Sequence, residues 1–375
     1  MKILYVTTVG GTMMFFKDFI RDLLKEGHAV DIICNETAMS KVPKCYAEWG
    51  CKIYHHSAER TPYSAGTFKA IKEIKRLVME NGYDLVHCHT PIAAMCTRLA
   101  CKNLRKSGNM RVFYTAHGFH FYKGAPLKNW MIYYPIEKIC SFFTDVLITI
   151  NHEDYALAQK KMKAKRVKYV PGVGVDVARF KNAVVNKEAK REELGIPKEA
   201  FLLVSVGELN KNKNHEIVIR ALAKMNDCNV HYAIAGKGPL MQYLQDLSQN
   251  IGVGNRVHLL GYRKDIAEIY HAADACIFPS VREGLGLAGI EGMACGLPII
   301  ASENRGTVEF VNANENGFLI SHSDVGGFAE AITLLKEDAY LYHRLSDKAK
   351  NDINQFDINN ITRIMKKIYE KYESK

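Results

Sequence analysis

The chain has 375 residues, 47% hydrophobic and 24% charged, which is typical of a globular protein large enough for two domains. No apolar run approaches the roughly 18 to 20 residues that span a bilayer, and the short apolar segment 3–9 lacks a signal cleavage site, so we expect a cytoplasmic protein. The net charge of +11 comes from residues 1–180, which hold 27 Lys and Arg against 15 Asp and Glu. No recognisable nucleic-acid-binding motif accompanies this positive charge, which argues against nucleic acid as a partner.

Apolar runs of strand length alternate with amphipathic stretches of helix length along the whole chain. In the first half, the predicted strands are 3–9, 28–34, 85–89 and 112–116, and the predicted helices are 15–25 and 68–78. In the second half, the predicted strands are 201–207, 232–236, 257–261 and 275–279, and the predicted helices are 215–224, 240–249, 265–271, 287–295, 328–335 and 358–372. This alternation predicts parallel sheets covered by helices on both faces, which is an α/β fold.

The segment 170–176 is rich in Gly and Pro and is predicted to be a linker between two similar halves. We therefore expect a first Rossmann-like domain of residues 1–172 and a second of residues 173–355. The remaining residues, 356–375, are expected to form a helix that packs back toward the first domain.

The segment 282–296 carries two glutamates, Glu283 and Glu291, eight residues apart in a glycine-rich run. Glycines let a backbone pass close to a ligand. If 287–295 is helical, its N-terminal amides and positive dipole end would favour an anion. Both carboxylates could accept hydrogen bonds from sugar hydroxyls. The same pattern also fits a glycine-rich turn before a buried helix, with both glutamates solvated.

This run resembles the E-x7-E signature of the retaining glycosyltransferases of family 4. These enzymes have the GT-B fold, in which two Rossmann-like domains face each other across a cleft. The segment 84–89 is similar to the D-x-V-H-x-H stretch of the family, and 115–122 resembles a segment that places a histidine near the donor sugar. The resemblance covers nearly the whole chain and is closest to bacterial capsular and exopolysaccharide transferases. It implies a role for His117 rather than for His120.

The loop 205–214 resembles a family loop that usually reads G-R-x-x-x-x-K-G, in which Arg and Lys bind the diphosphate. Lys213 occupies the lysine position, but Glu208 replaces the arginine and Asn214 replaces the glycine. A carboxylate cannot neutralise a diphosphate. The second cation is therefore left to Lys211, Arg282 or another residue.

The resemblance implies catalytic roles for His117, Lys213 and Glu283. Glu283 is expected on the hydroxyls of the donor sugar, Glu291 on the ribose, and the segment 260–265 on the nucleotide base. The implied donor-binding residues are Gly10, Gly11, Gly207, Lys213, Gly236, Gly238, Tyr262, Arg263, Glu283, Gly284, Leu285, Gly286, Leu287 and Glu291.

No metal or cofactor is expected. The chain has no D-x-D motif, and its ten cysteines stand singly without a C-x-x-C pair, which predicts reduced thiols rather than a zinc site. Lys213, the glycine amides and the N-terminus of the predicted helix 287–295 would then stabilise the departing diphosphate. The family retains the anomeric configuration, which implies that the leaving phosphate takes the proton of the acceptor hydroxyl.

The resemblance implies transfer of a hexose or N-acetylhexosamine from a nucleotide sugar, expected to be UDP-linked, to a polyprenyl-diphosphate-linked saccharide. The acceptor is expected on the first domain, whose positive charge suits peripheral contact with the anionic inner face of the cell membrane. Two alternatives remain open. One is a UDP-N-acetylhexosamine epimerase of GT-B fold. The other is a nucleotide-binding module without turnover, which the missing arginine at Glu208 favours.

Overall fold

The computed structural model describes residues 1–38, 40–59, 61–108, 110–225 and 227–372. The chain forms two compact units. The first comprises Met1–Val173 and the chain from Ile361 onwards, and the second comprises Gly174–Asn360. Each unit is built around one parallel sheet, so the predicted α/β class with two Rossmann-like halves is confirmed. The sequence placed the boundaries after residues 172 and 355.

The first unit contains a seven-stranded parallel sheet with the order β3-β2-β1-β4-β5-β6-β7. Its strands are β1 (Lys2–Val9), β2 (Ala29–Asn35), β3 (Ile53–His55), β4 (Leu85–His89), β5 (Arg111–Ala116), β6 (Val146–Thr149) and β7 (Arg166–Tyr169). Its helices are α1 (Lys17–Lys25), α2 (Cys45–Glu48), α3 (Ala65–Asn81), α4 (Pro91–Cys101), α5 (Leu127–Ser141) and α6 (His152–Lys161). Short 3-10 helices cover Gly10–Phe16 and Leu104–Ser107. Both faces of the sheet carry an apolar core, as a parallel sheet requires.

The second unit contains a six-stranded parallel sheet with the order β10-β9-β8-β11-β12-β13. Its strands are β8 (Phe201–Val206), β9 (Val230–Ala235), β10 (Val257–Gly261), β11 (Ala275–Phe278), β12 (Ile299–Ser302) and β13 (Gly317–Ile320). Its helices are α7 (Val177–Lys181), α8 (Lys187–Glu193), α9 (His215–Lys224), α10 (Met241–Asn250), α11 (Ile266–Ala272), α12 (Leu287–Ala294), α13 (Val325–Glu337) and α14 (Ala339–Asp352). Further 3-10 helices cover Gly254–Arg256, Thr307–Glu309 and Ile353–Phe356. The strand order reverses between β8 and β11, and ligands of such sheets bind at this point, beyond the carboxyl ends of the strands.

The last helix, α15 (Ile358–Glu370), begins in the second unit and completes the core of the first. Ile361, Ile368 and Tyr369 are buried together with residues of β1 and β5. The ring of Tyr369 packs edge-on against Phe113, with the ring centroids 5.4 Å apart. Residues distant in sequence therefore share one apolar core.

Two details differ from the sequence prediction. The predicted helix 15–25 begins only at Lys17, because Gly10–Phe16 forms a tighter 3-10 helix. The elements that were not predicted are the helices α2, α4, α5, α6, α7, α8 and α14 and the strands β3, β6, β7, β12 and β13. Among the helices that the structure describes, none has both the length and the apolarity needed to cross a bilayer.

Candidate functional site

The loops that follow β8 and β11 converge on a salt bridge between Lys213 and Glu283. The two strands are neighbours in the sheet, so their loops leave the same edge. The ammonium of Lys213 lies 2.7 Å from a carboxylate oxygen of Glu283 and 5.0 Å from the ring centroid of Phe278. The side chains of Lys213 and Glu283 are 22% and 16% exposed, so both charges remain accessible to a ligand. Two residues 70 positions apart, each predicted to bind the donor, are thus brought together.

Asn214 preserves the backbone conformation that the family glycine would allow. Its φ is +54°, in the left-handed region that asparagine tolerates better than most residues. Its side-chain amide donates to the carbonyls of Pro279, at 3.2 Å, and His322, at 2.8 Å. The replacement therefore keeps the turn before α9 and adds two hydrogen bonds that fix the loop.

Glu208, at the arginine position, is exposed and accepts a hydrogen bond of 2.9 Å from the side chain of Asn210. Lys211 is also exposed and forms no ion pair with any residue that the structure describes. The backbone carbonyl of Arg282 accepts a hydrogen bond of 2.9 Å from the side chain of Asn212. In this loop, Lys213 is therefore the cation held in place by a partner, and Lys211 is an exposed cation close to it in sequence.

Gly207, Gly236 and Gly238, which were predicted to bind the donor, lie where the backbones of the loops after β8 and β9 pack against each other. A Cβ on Gly236 would lie 1.8 Å from the carbonyl oxygen of Gly207, and one on Gly238 would lie 2.5 Å from that of Leu209. A Cβ on Gly207 would lie 3.2 Å from Cε of Lys213. These glycines therefore allow the close backbone packing that positions the loop carrying Lys213.

The glycine-rich run forms a turn that ends in an uncapped helix. Gly286 has φ +111° and is the N-cap of α12, and no side chain caps the helix there. A Cβ on Gly286 would lie 2.8 Å from the ring of Phe278, the ring that also contacts Lys213. Leu285 is buried, Gly284 lies next to it in the turn, and Leu287 begins the helix. The N-cap residue of α12 and the ammonium of Lys213 thus border the same aromatic ring.

Glu291 lies in the second turn of α12 and is largely removed from solvent. Burial raises the pKa of its carboxyl group from 4.5 to about 7, and the positive charge of Arg179 on α7 partly opposes this rise. Near neutral pH the carboxyl group is therefore poised between its charged and neutral forms. A ligand that donates hydrogen bonds to it would favour the charged form.

Tyr262 and Arg263 follow β10 at the same edge of the sheet. The side chain of Tyr262 is 68% exposed. The guanidinium of Arg263 forms ion pairs with Asp265, through an Nε–Oδ1 hydrogen bond of 2.9 Å, and with Glu193. The charge of Arg263 is therefore balanced by two carboxylates.

The sequence prediction missed the loop after β12, which packs against Glu283. A Cβ on Gly306 would lie 2.8 Å from Cβ of Glu283. Asn304 closes this loop by accepting from the amides of Gly306, at 3.0 Å, and Thr307, at 3.2 Å. An Asn-x-Gly-Thr turn directly after a buried strand was the available signal.

In the first unit, His117 belongs to a cluster of three histidines at the carboxyl ends of β4 and β5. Its Nε2 lies 3.1 Å from Nδ1 of His89, and the ring of His89 lies 4.2 Å from that of His87. Burial lowers the pKa of His117 to about 4. Burial, together with the neighbouring His117, lowers the pKa of His87 to about 3. The pKa of His89 is likewise held well below its usual value. These rings are neutral at pH 7 and can only exchange hydrogen bonds.

The C-terminal helix α15 contacts this histidine cluster through Tyr369. Tyr369 of α15 hydrogen-bonds Nδ1 of His87, and its hydroxyl lies 3.0 Å from that of Tyr5. On the other side of the ring, Nε2 of His87 lies 2.8 Å from Oγ1 of Thr115. Both ring nitrogens of His87 are thus occupied, which fixes the orientation of the ring.

The predicted glycine turn at Gly10 and Gly11 is the start of the 3-10 helix after β1. A Cβ on Gly10 would lie 2.7 Å from the backbone nitrogen of Val42. The amide of Gly11 donates to Oγ of Ser40 at 2.9 Å. Gly10 is therefore required by packing within the first unit.

A groove with a volume of about 340 Å³ lies at the carboxyl ends of β1 and β4. Thr90, which lines it, has φ +64°, a strained conformation for a β-branched residue. Hydrogen bonds to the amide of Thr8, at 3.0 Å, and to its hydroxyl, at 2.7 Å, hold Thr90 in place. His120 lines the groove and packs on Tyr133, whereas His117 does not line it. Strain of this kind is concentrated at functional sites.

The predicted catalytic and donor-binding residues are divided between the two units. Gly10, Gly11 and His117 belong to the first unit, and all the others belong to the second. Within the described part of the chain, no group of three or more His, Cys, Asp or Glu side chains is arranged to hold a metal ion.

Two family models match the chain. The model described as "Glycosyl transferase 4-like" matches residues 2–151, and the one described as "Glycosyl transferases group 1" matches residues 186–352. The chain is 35% identical to "Putative glycosyltransferase EpsD" of Bacillus subtilis (strain 168), over 99% of this chain and 97% of that protein.

Two further proteins are similar over most of their length. A "UDP-Gal:alpha-D-GlcNAc-diphosphoundecaprenol alpha-1,3-galactosyltransferase" of Escherichia coli is 29% identical over 77% of this chain and 76% of that protein. The structure of Anabaena Alr3699/HepE in complex with UDP superposes with a TM-score of 0.81 at 20% identity, covering 99% of this chain and 100% of that one.

Proposed function

Because the chain belongs to glycosyltransferase family 4, which has the GT-B fold, we propose that it transfers a hexose or N-acetylhexosamine from a UDP-sugar to a polyprenyl-diphosphate-linked saccharide. The observation that carries this proposal is the Lys213–Glu283 pair, which shares the ring of Phe278 with the uncapped N-terminus of α12. The name of the Escherichia coli relative specifies a UDP-sugar donor and a diphosphoundecaprenol acceptor, which supports the choice of both substrates.

The donor diphosphate would bind between Lys213 and the first amides of α12. A lysine ammonium has three donors, and Glu283 uses one of them at 2.7 Å, which leaves two for phosphate oxygens. The N-terminus of a helix adds backbone donors and a partial positive charge. Fixed charges of this kind stabilise the nucleoside diphosphate as it leaves, so we propose that no metal ion is required.

The two glutamates would act on the sugars of the donor. The salt bridge to Lys213 holds Glu283 beyond the carboxyl ends of β8 and β11, where it can accept hydrogen bonds from hydroxyls of the transferred sugar. Glu291 would accept from the ribose hydroxyls. Its pKa of about 7 means that ribose binding would draw it into the charged form.

The transfer itself would proceed with retention of configuration. The acceptor hydroxyl would attack C1 of the sugar on the face from which the diphosphate departs. The C1–O bond to phosphate breaks, the new glycosidic bond forms, and the leaving phosphate takes the hydroxyl proton. Neutral His117 would contribute a hydrogen bond near the sugar rather than a charge, because burial lowers its pKa to about 4.

The acceptor would bind in the groove that begins at Thr90. The helix α4 follows Thr90 directly and has Pro91, which lacks an amide proton, as its first residue, and the amide of Ala93 donates to Oγ1 of Thr8 at 3.3 Å. The partial positive charge at this helix N-terminus, at one end of the groove, suits the diphosphate of a lipid-linked saccharide. The groove has a volume of about 340 Å³, enough for a small saccharide.

We also propose that α5 contacts the membrane. Its solvent side carries an apolar stripe: Leu127, Met131 and Ile139 are 73%, 64% and 57% exposed, and Phe142, just after the helix, is 55% exposed. Lys128 lies beside the stripe. An apolar stripe flanked by lysine matches an interfacial helix on an anionic bilayer. Weaker flotation of Met131→Glu than of wild type with phosphatidylglycerol vesicles would support this, and equal flotation would exclude it.

The donor proposal is tested by incubating the protein with a panel of UDP-, GDP- and ADP-sugars in the presence of EDTA and measuring diphosphate release with and without a lipid-linked acceptor extract. We expect UDP release from one sugar, reduced roughly 10²- to 10³-fold by Lys213→Met. Lys224→Met, an exposed lysine at the other end of α9, is the matched control and should retain full activity. NMR of the product would report the anomeric configuration.

Each alternative gives a different result in the same assay. Formation of an epimerised sugar nucleotide without acceptor would identify an epimerase. UDP binding without transfer or donor hydrolysis would identify a nucleotide-binding module. Activity lost in EDTA and restored by magnesium would disprove metal independence but leave the transferase assignment intact.

A further inference from the structure

A second cationic site lies in the first unit, between the edge strand β7 and the helix α15. The cavity has a volume of about 200 Å³. Its polar lining consists of Arg166, Lys168, Tyr169, Lys367, Lys371 and Tyr372. Arg166 begins β7 and pairs with Val146, the first residue of β6, so the cavity reaches the amino ends of these strands. The groove proposed for the acceptor lies at the carboxyl ends of β1 and β4 instead.

Four cations line this cavity, two from β7 and two from the C-terminal part of the chain. Arg166 and Lys168 are two residues apart on a strand and therefore share one face of the sheet. Lys367 and Lys371 are four residues apart, one helical turn, and therefore lie on the same side of α15 and its C-terminal end. Two independent elements thus contribute two cations each.

None of these four cations forms an ion pair with a carboxylate among the residues that the structure describes. Their neighbours do. Lys366 on the same helix lies 2.7 Å from Glu26 and 3.3 Å from Asp22, and Lys165 beside Arg166 lies 3.0 Å from Asp145. Arg166, Lys367 and Lys371 are exposed and Lys168 is half-buried, so the four charges give the cavity a positive potential that favours an anion.

Protection of an edge strand explains only part of this arrangement. Charged residues on an edge strand prevent pairing with other chains, and this accounts for Arg166 and Lys168. It does not account for Lys367 and Lys371, which lie on a helix. Tyr372 adds a hydroxyl that stays protonated, because burial raises its pKa, and can therefore donate a hydrogen bond.

We propose that this cavity binds an anion carrying one or more phosphate groups, at a site separate from the donor and acceptor sites. The ligand is either a soluble phosphate compound or the phosphate headgroup of a lipid. This site does not depend on the proposed transferase activity, because it uses none of the residues assigned to donor or acceptor.

The test is calorimetric titration of the full chain with inorganic pyrophosphate. All proteins carry Lys213→Met, so that the proposed donor site contributes little binding. The pocket variant adds Lys168→Gln and Lys371→Gln. The control adds Lys72→Gln and Lys75→Gln, which remove the same charge from the exposed face of α3. We expect about tenfold weaker binding in the pocket variant and an unchanged affinity in the control.

A second pair, Arg166→Gln with Lys367→Gln, should weaken binding to a similar extent and covers the case that the first pair fails to fold. Flotation with phosphatidylcholine vesicles, with and without phosphatidylglycerol, distinguishes the two sources. Loss of flotation in the pocket variants alone would indicate a lipid headgroup, and unchanged flotation with weakened pyrophosphate binding would indicate a soluble ligand. No pyrophosphate binding, or equal weakening in pocket variants and control, would overturn the proposal.

Discussion

Replacing Glu291 by Gln is expected to stabilise the folded protein at about pH 8 and to change its stability little at about pH 4.5. Burial raises the pKa of this carboxyl group from 4.5 to about 7 in the folded state. Between about pH 4.5 and 7 the folded protein binds more protons than the unfolded chain, so the contribution of Glu291 to stability falls as the pH rises. Above pH 7, the folded state carries the full cost of a poorly solvated charge.

The size of the effect follows from the pKa. A rise from 4.5 to about 7 corresponds to about 3 kcal/mol. Because Glu291 keeps some solvent contact, we expect about 2 to 3 kcal/mol, equivalent to roughly 5 to 10 °C in the midpoint of thermal unfolding of a unit of this size. The Gln variant should show this gain at about pH 8, and the gain should vanish between pH 7 and 4.5.

The assay is scanning calorimetry of wild type, Glu291→Gln and Glu330→Gln from about pH 4.5 to 8. Glu330 is an exposed residue of α13 and provides the same chemical change outside a buried site. Its variant should follow wild type at every pH. If the unfolding midpoints of wild type and Glu291→Gln differ by the same amount across the whole range, the charge of Glu291 carries no burial cost and the reasoning is wrong.

Three further outcomes are expected. UDP affinity should weaken from about pH 8 to 6 as Glu291 takes up a proton, and Glu291→Gln should abolish this dependence; a titration with the same slope in both proteins would contradict the ribose assignment. Gly236→Ala should leave the second unit unfolded or strongly destabilised, because its Cβ would lie 1.8 Å from a carbonyl oxygen, whereas the Cβ of Gly254→Ala would meet the flexible side chain of Gln249 at 3.2 Å and backbone atoms no closer than 3.4 Å; equal melting curves would refute this. Arg98→Met should cost about 3 to 5 kcal/mol in urea unfolding by leaving Glu137 buried without its partner at 2.8 Å, and adding Glu137→Met should recover most of the loss; no recovery would show that packing dominates.

Much of the fold could be predicted because parallel strands buried on both faces are continuous apolar runs. β4 and β11 are buried along their whole length and were evident in the sequence, whereas the shorter runs of β6 and β12, which are also wholly buried, were missed. The helix α5 was missed because its solvent side is apolar, so the usual contrast between an apolar and a polar face is absent. The helix α14 was missed because only Leu345, Ser346 and Ala349 are buried, too few for a clear stripe.

The residues of the candidate site were predictable individually, but their arrangement was not. Lys213 and Glu283 were each identified from a local pattern, yet their contact depends on β8 and β11 being neighbours in the sheet. The support that Gly306 gives to Glu283 was invisible for the same reason. Asn214 looked like a loss relative to the family glycine, because its left-handed conformation is a property of the folded turn.

The first unit is discontinuous in sequence, and this has a consequence for how the protein is made. At about 5 to 20 residues per second, a ribosome needs roughly 10 to 40 s between Val173 and Ile361. During that interval the nascent first unit lacks the helix that covers Tyr5, Phe113 and His87, while the second unit is synthesised without interruption. Premature termination within α15 would therefore expose an apolar surface on a unit whose sheet was finished long before.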